Sequence, residues 1–138
     1  KMNLPYLYNA CIGMHITKKK QVDKGTEGTQ YLVDKYGYDT KQAMHSIRIL
    51  DFLRRFADNE FSNFKEAIWY EDNEDFRTLL LDLKNGLYSK ESFINISDNL
   101  FNLVENEYKI KYQSQLVNEE TNENLLKMVK GIVKNELK

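Results

Sequence analysis

Apolar side chains recur at helical spacing along most of this chain of 138 residues. Residues three and four positions apart share one face of a helix, so each such run predicts an amphipathic helix. In the clearest run, Ala43, Ile47, Leu50 and Leu53 form one apolar line, and Phe52 lies on a second flank. Since apolar residues cover much of its circumference, we expect this helix to be central. The pattern predicts helices over residues 4–23, 39–61, 73–85, 89–112 and 121–138.

Residues that cap or stop helices stand at several of these boundaries. Asp39 is suited to cap the second helix, with Gln42 three residues later as its partner in a capping box. Ser89 is suited to cap the fourth helix, and Asn85-Gly86 provides a stop for the third. These local signals support the predicted helix ends independently of the apolar pattern.

The segments between the helices complete the expected fold. Residues 24–31 contain two glycines and predict a loop. The aromatic run around residues 67–70 fits either one short extended segment or a packed loop. The chain has one proline and is rich in Leu, Lys, Glu and Asn, which is typical of helical proteins. We therefore expect an all-α fold, an irregular bundle of about five helices in a single domain over residues 1–138.

Composition narrows the class of protein without assigning a function. A net charge of −1 excludes a globally basic protein but allows a local basic patch. Cys11 is the single cysteine, which excludes a disulfide framework and favours a reduced, cytoplasmic setting. The longest apolar runs, such as Leu79-Leu80-Leu81, are far shorter than the roughly 18 residues that span a bilayer, so a soluble protein without a membrane partner is expected.

Sequence motifs of self-sufficient enzymes are missing. The chain has no glycine-rich phosphate loop, no G-x-S-x-G, no C-x-x-C and no H-E-x-x-H. His15 and His45 fall on different predicted helices without metal-ligand spacing. The acidic residues 71–75 precede a helix, where the helix dipole favours carboxylates without any metal. The sequence therefore predicts neither a catalytic residue nor a metal site in this chain.

Basic side chains share one face at the start of the second helix. Lys41, His45 and Arg48 are spaced i, i+4 and i+7, beside a helix N-terminus that favours anions. Arginine offers a bidentate fork for phosphate, lysine a point charge, and histidine a donor whose charge depends on pH. Tyr38 stands just before this helix and is able to stack on a base. This arrangement favours binding of a nucleotide or an RNA backbone.

A purely structural interpretation of the same residues is also available. Arg48 would pair with Asp51 or another acidic residue, His45 would be a buried histidine bonded to a backbone carbonyl, and Lys41 would be a solvated first-turn residue. On spacing alone, this structural interpretation is the better supported of the two.

Residues 37–50, GYDTKQAMHSIRIL, closely resemble a segment of a predicted nucleotidyltransferase family in the DNA polymerase β superfamily. The family has bacterial and phage members and one branch associated with RNA repair, and its run has the form Y-G-Y-D-T-K-x-A-M-H-x-x-R-L. Residues 80–89 are similar to its leucine-rich stretch, which ends in a K/R-N-G turn and a Ser-capped helix. The resemblance covers residues 1 to 105 and is strongest at 36–50. Gln42 departs from the family pattern, where histidine is expected.

The resemblance implies that the catalytic carboxylates and the residues of this chain belong to two different domains. Catalytic carboxylates would follow a Gly-Ser turn in an N-terminal sheet domain and hold two Mg2+ ions. This chain has no Gly-Ser pair followed by D-x-D or D-x-E, and it begins at Lys1. We therefore expect a fragment that is inactive alone, the C-terminal helical part of a longer nucleotidyltransferase. Expected partners are that catalytic domain, a nucleoside triphosphate and RNA; the oligomeric state is open.

By the same resemblance, the candidate nucleotide- and phosphate-binding residues are Tyr38, Asp39, Lys41, His45 and Arg48. This hypothesis predicts that Lys41, His45 and Arg48 are exposed together. The alternative is a helical protein–protein interaction module without a nucleotide role. It predicts that the face from Tyr38 to Arg48 is buried and internally salt-bridged.

Overall fold

The computed structural model describes residues 3–114 and 129–132, and all regular structure in these ranges is helical. This confirms the all-α prediction. In the first range, a π-helical turn at Val104–Tyr108 joins the last two of seven α-helices. The α-helices are α1 (Leu4–Gln21), α2 (Gln30–Tyr36), α3 (Thr40–Asp58), α4 (Phe64–Ile68), α5 (Asp75–Lys84), α6 (Lys90–Leu103) and α7 (Lys109–Gln113).

Helix α3 forms the centre of the fold, as its apolar pattern predicts. Every residue from 42 to 53 is buried, including polar side chains that an amphipathic surface helix would expose. Its apolar residues pack into two clusters, one with α1 around Leu50 and Leu53 and one with α5 around Met44 and Ile47. The flanking helices therefore cover α3 on several sides.

Helix α1 runs antiparallel to α3, and two hydrogen bonds fix this pairing. His15 Nδ1 donates to the carbonyl oxygen of Ser46 at 2.8 Å in the middle of both helices. The backbone N–H of Asp39 donates to Val22 O, also at 2.8 Å, where α3 begins and α1 has just ended. The C-terminal end of α1 consequently lies beside the N-terminal end of α3.

Helix α5 and the turn after it meet the same end of α3. The hydroxyl of Thr40 donates to Lys84 O at 2.8 Å, and the hydroxyl of Tyr38 donates to Tyr88 O at 2.6 Å. Gly86, with φ of 78°, ends α5 in the left-handed conformation that the predicted Asn-Gly stop requires. Three helix ends therefore meet around residues 38–41.

Two predicted connecting segments are more helical than expected. The loop predicted over 24–31 ends where α2 begins, at Gln30. In the second segment, Ala67 and Ile68 belong to α4, so extended backbone begins only at Trp69. For α4, the reason is a set of polar contacts. The side chain of Asn63 caps α4, and the Arg55 guanidinium donates to carbonyl oxygens in and after α4, those of Glu66, Ala67 and Trp69.

The predicted last helix falls mostly outside the described residues. Only 129–132 of its predicted span is described; this stretch is helical, with Val129 and Ile132 buried. None of the helices in the described ranges combines the length and the apolar character needed to cross a membrane.

Candidate functional site

Asp39 immediately precedes α3 as its N-cap and is fully buried. Its Oδ1 accepts the N–H of Gln42 at 3.0 Å, which confirms the predicted N-cap, and its Oδ2 accepts the hydroxyl of Thr29. Only half of the predicted capping box forms, because the Asp39 N–H is already bonded to Val22 O. The Oε1 atom of Gln42 is left buried without a hydrogen-bond partner among the described residues. Asp39 thus positions the helix start.

Tyr38 is 1% exposed and is therefore not placed to stack on a base. Its ring lies nearly parallel to that of Phe93, with centroids 6.1 Å apart, and its hydroxyl is bonded to Tyr88 O. Burial raises the pKa of this hydroxyl. Tyr38 holds the turn between α5 and α6 against α3, which makes it a positioning residue for the surrounding side chains.

His45 is the most unusual polar residue of this region. It is 6% exposed, and its Nδ1 has no hydrogen-bond partner in the described part of the chain. Burial, followed by the positive charges of Lys18, Lys41, Arg48 and Lys84, lowers the pKa of His45 to about 3. The buried histidine bonded to a backbone carbonyl, which the structural interpretation expects at His45, is found instead at His15.

Lysines from three helices surround His45. Lys41 lies one turn before it on α3, Lys18 comes from the end of α1, and Lys84 is the last residue of α5. All three are partly buried, and none forms an ion pair with any residue in 3–114 or 129–132. We call Lys18, Lys41, His45 and Lys84 the basic cluster.

Among the described residues, Asp39 is the carboxylate that acts on Lys18. Burial lowers the pKa of Lys18, with Asp39 acting to raise it and Lys41 to lower it further. Asp39 is already engaged by Gln42 and Thr29. The cluster therefore holds an excess of positive charge in a chain whose formal net charge is −1.

Arg48 points away from solvent and towards the C-terminal end of α4. It is 3% exposed, donates from Nη2 to Ile68 O at 3.2 Å and lies 5.7 Å from the ring centroid of Tyr70. Asp51 is the first of the acidic partners that the structural interpretation allows for Arg48, and no bond between the two is observed. Asp51 instead accepts from Arg54 and from the Tyr70 hydroxyl. Arg48 therefore helps to join α3 to α4.

Neither expectation for this face holds completely. The nucleotide hypothesis expects an exposed trio, but His45 and Arg48 are buried and only Lys41 is partly open. The interaction-module hypothesis expects internal salt bridges, but Lys41 has none with the described residues. Lys18 and Lys84 were not among the site residues predicted from the sequence. Lys18 belongs to a basic run that the helix dipole explains, and Lys84 reaches the site only through tertiary packing.

The remaining sites offer less chemistry. In the acidic run at 71–75, Glu74 accepts the N–H of Glu71 at 2.5 Å and pairs with Arg55 at 2.9 Å. Across the described residues, no three His, Cys, Asp or Glu side chains converge as a metal site. An open cleft of about 560 Å³ lies beside Trp69, whose side chain is 64% exposed.

No family model, curated protein or solved structure matches this chain. The resemblance of residues 36–50 to a nucleotidyltransferase family therefore stays a prediction.

Proposed function

We propose that this chain is a nucleotide-binding helical domain of a polymerase-β-like nucleotidyltransferase. The observation that carries the proposal is the basic cluster, in which lysines from α1, α3 and α5 surround one buried histidine. The resemblance of residues 36–50 supports it, because that run supplies Lys41 and His45. The catalytic carboxylates and their Mg2+ ions would come from another part of the enzyme.

The electrostatics of the basic cluster favour an anionic ligand. Like charges held close together in a partly buried place repel each other more strongly than they would in water. The cluster lies within the first turns of α3, where the helix dipole adds further positive potential. A polyphosphate would offset this repulsion, whereas an uncharged ligand would not. A nucleoside triphosphate is the ligand of this kind that a nucleotidyltransferase uses.

The other predicted site residues hold the neighbouring helices and turns in place. Asp39 caps α3, Tyr38 secures the turn after α5, and Arg48 ties α3 to α4. In the proposed enzyme, this chain binds and orients the phosphates and reduces their negative charge while the other domain performs the transfer. We propose a cytoplasmic location, which suits both a nucleotide substrate and the unpaired, buried thiol of Cys11. RNA is proposed as an acceptor of the whole enzyme.

An NMR titration of this chain with ATP tests the proposal. We expect chemical-shift changes concentrated at the end of α1, the start of α3 and the end of α5. Adenosine, which has the same base and ribose but no phosphate, is the matched control and should cause much smaller changes. If ATP leaves these three helix ends unaffected, the proposed nucleotide role is wrong.

A second candidate function is a protein–protein interaction module. The exposed Trp69 and its adjacent cleft favour it, since a large exposed aromatic side chain is common at interfaces. In the same titration, this function predicts no response to ATP at the basic cluster. It also predicts that a partner, or a second copy of the chain, would shift resonances around Asn63 to Trp69.

A further inference from the structure

We propose that the basic cluster binds a phosphoryl group together with one proton, which His45 takes up from solvent as the group enters. This inference deepens the proposed function and rests on it, because it names the part of the nucleotide that is held and a condition that controls its binding. Apart from the N–H bond that the added proton makes, no covalent bond forms or breaks. The imidazole gains one proton and one positive charge opposite the phosphoryl dianion.

The first support is the unsatisfied Nδ1 atom of His45. A buried polar atom without a partner costs free energy, so such an atom in a folded protein calls for an explanation. The Nδ1 atom has no hydrogen-bond partner among the described residues, and the lysines whose charges act on His45 form no ion pair with those residues either. A phosphoryl oxygen accepts hydrogen bonds, and Nδ1 must carry a proton to donate one. One ligand would therefore satisfy both the orphaned nitrogen and the lysines.

The second support is the set of charges that face His45. Lys18 of α1, Lys41 and Arg48 of α3 and Lys84 of α5 are all positive, and Asp39, the carboxylate near Lys18, is held by Gln42 and Thr29. These cations disfavour a proton on His45 in the free protein. Protonation of His45 is thus opposed mainly by burial and by the nearby positive charges. A bound anion directly offsets those positive charges.

Electrostatics determines whether anion binding raises or lowers the pKa of His45. An opposite charge within about 4–6 Å raises the pKa of a basic group by roughly 1 to 3, and a dianion supplies two such charges. Since burial and the cations lower the pKa of His45 to about 3 in the free protein, the bound dianion brings protonation into the mildly acidic range. By linkage, a lower pH must then increase affinity for the anion.

Isothermal titration calorimetry with pyrophosphate tests both parts of the inference. At pH 6, the binding enthalpy is measured in two buffers with different heats of ionisation, which gives the number of protons taken up. Pyrophosphate changes its own protonation as well, so the same measurement is made on His45→Gln. We expect wild type to take up more protons than this variant, by at most one per bound anion, since the difference isolates the imidazole.

Lysine variants locate the anion. Lys18→Met and Lys84→Met keep the apolar part of each side chain and remove its charge, and each should weaken pyrophosphate binding about tenfold, the usual size of a charge-assisted contact. Lys20→Met is the matched control, because Lys20 is exposed on the same helix as Lys18 and does not act on His45. The control should bind as wild type does.

The outcomes separate this inference from the proposed function. Equal pyrophosphate affinity in wild type, Lys18→Met and Lys84→Met would overturn the phosphoryl site. If ATP still perturbed the three helix ends, the nucleotide role would survive. Lysine-dependent binding with equal proton uptake in wild type and His45→Gln would overturn the role of His45. Direct NMR titration of His45 in wild type, with and without saturating pyrophosphate, gives the same answer without a variant. An unchanged His45 titration would contradict the coupling.

Discussion

The hydroxyl of Thr40 donates to the backbone carbonyl of Lys84 at 2.8 Å, which ties the first residue of α3 to the last residue of α5. Thr40 is fully buried, and Lys84 is partly buried. The bond places the Lys84 side chain beside the basic cluster. Helix α5 thereby contributes to a site whose other residues lie on α1 and α3.

We expect Thr40→Val to lower both stability and anion affinity. The variant keeps the shape of the side chain but leaves Lys84 O without its buried donor, at a cost of about 1–3 kcal/mol. Because the end of α5 loses its anchor, ATP affinity should also fall. Urea denaturation and calorimetry measure the two effects. Thr40→Ser retains the hydroxyl and should lie close to wild type; if it weakens ATP binding as much as Thr40→Val, the bond to Lys84 is not the cause.

Removing a charge from the basic cluster should stabilise the free protein. Burial disfavours the charge of Lys18, and Lys41 repels that charge while Asp39 attracts it, so Lys18→Met should raise the free energy of unfolding by about a few tenths of a kcal/mol, although the same change weakens phosphate binding. When a substitution raises the stability of the protein but lowers its affinity for a ligand, the original residue typically serves binding rather than the fold. Lys18→Met is compared with Lys20→Met by thermal denaturation in phosphate-free buffer. A loss of stability specific to Lys18→Met would indicate a structural role for Lys18.

Gly86→Ala should destabilise the fold strongly. Gly86 has φ of 78°, and a Cβ atom there would approach Cε1 of Tyr36 to 2.2 Å. The unfavourable backbone conformation and the displaced ring together predict a loss of about 2–4 kcal/mol in denaturant unfolding. In a Tyr36→Ala background the clash is gone, so Gly86→Ala should cost less stability there than it does in wild type. An unchanged cost of Gly86→Ala in that background would show that the ring is not involved.

The folded protein should lose stability as the pH falls from 6.5 towards 4.5. Unfolded histidine titrates near 6.5, whereas burial and the surrounding cations lower the pKa of His45 to about 3 in the fold. In this interval only the unfolded state binds the proton, so protonation favours unfolding, by roughly 2 kcal/mol for His45. Glu74, whose pKa is lowered from 4.5, adds its own loss mainly below this interval.

His45→Gln should flatten that dependence. The variant cannot take up the proton when it unfolds, so its stability should change less between pH 6.5 and 4.5 than that of wild type. The remaining slope belongs partly to His15, whose pKa burial also lowers. Urea denaturation at several pH values measures the two curves. Parallel curves for wild type and His45→Gln would mean that His45 has the same protonation in both states.

Local sequence signals predict most of the fold. The apolar line through Ala43, Ile47 and Leu50 identifies α3 as the central helix, and Asp39 and Ser89 cap their helices through their own side chains. Helix α2 and the helical part of residues 64–68 were missed. The latter depends on carbonyl contacts from Arg55, about one helical turn before the end of α3, which no local pattern reveals.

The candidate site was predictable only where its residues share one helix. The spacing of Lys41 and His45 places them together, but it does not reveal that His45 is buried or that Arg48 turns towards α4. Lys18 and Lys84 join them through the His15–Ser46 and Thr40–Lys84 contacts, which connect residues 31 and 44 positions apart. Side-chain spacing within a helix carries no information about such contacts.

The most direct test of the central claim is the affinity of the chain for ATP when two cluster lysines lose their charge. Lys18→Met/Lys84→Met is compared by calorimetry with Lys20→Met/Lys130→Met, which removes two exposed lysines and changes the net charge equally. If the basic cluster binds the phosphates, the first variant should lose about a hundredfold in affinity and the second should stay close to wild type, since each charged contact contributes about tenfold. Equal affinities in the two double variants would contradict the claim.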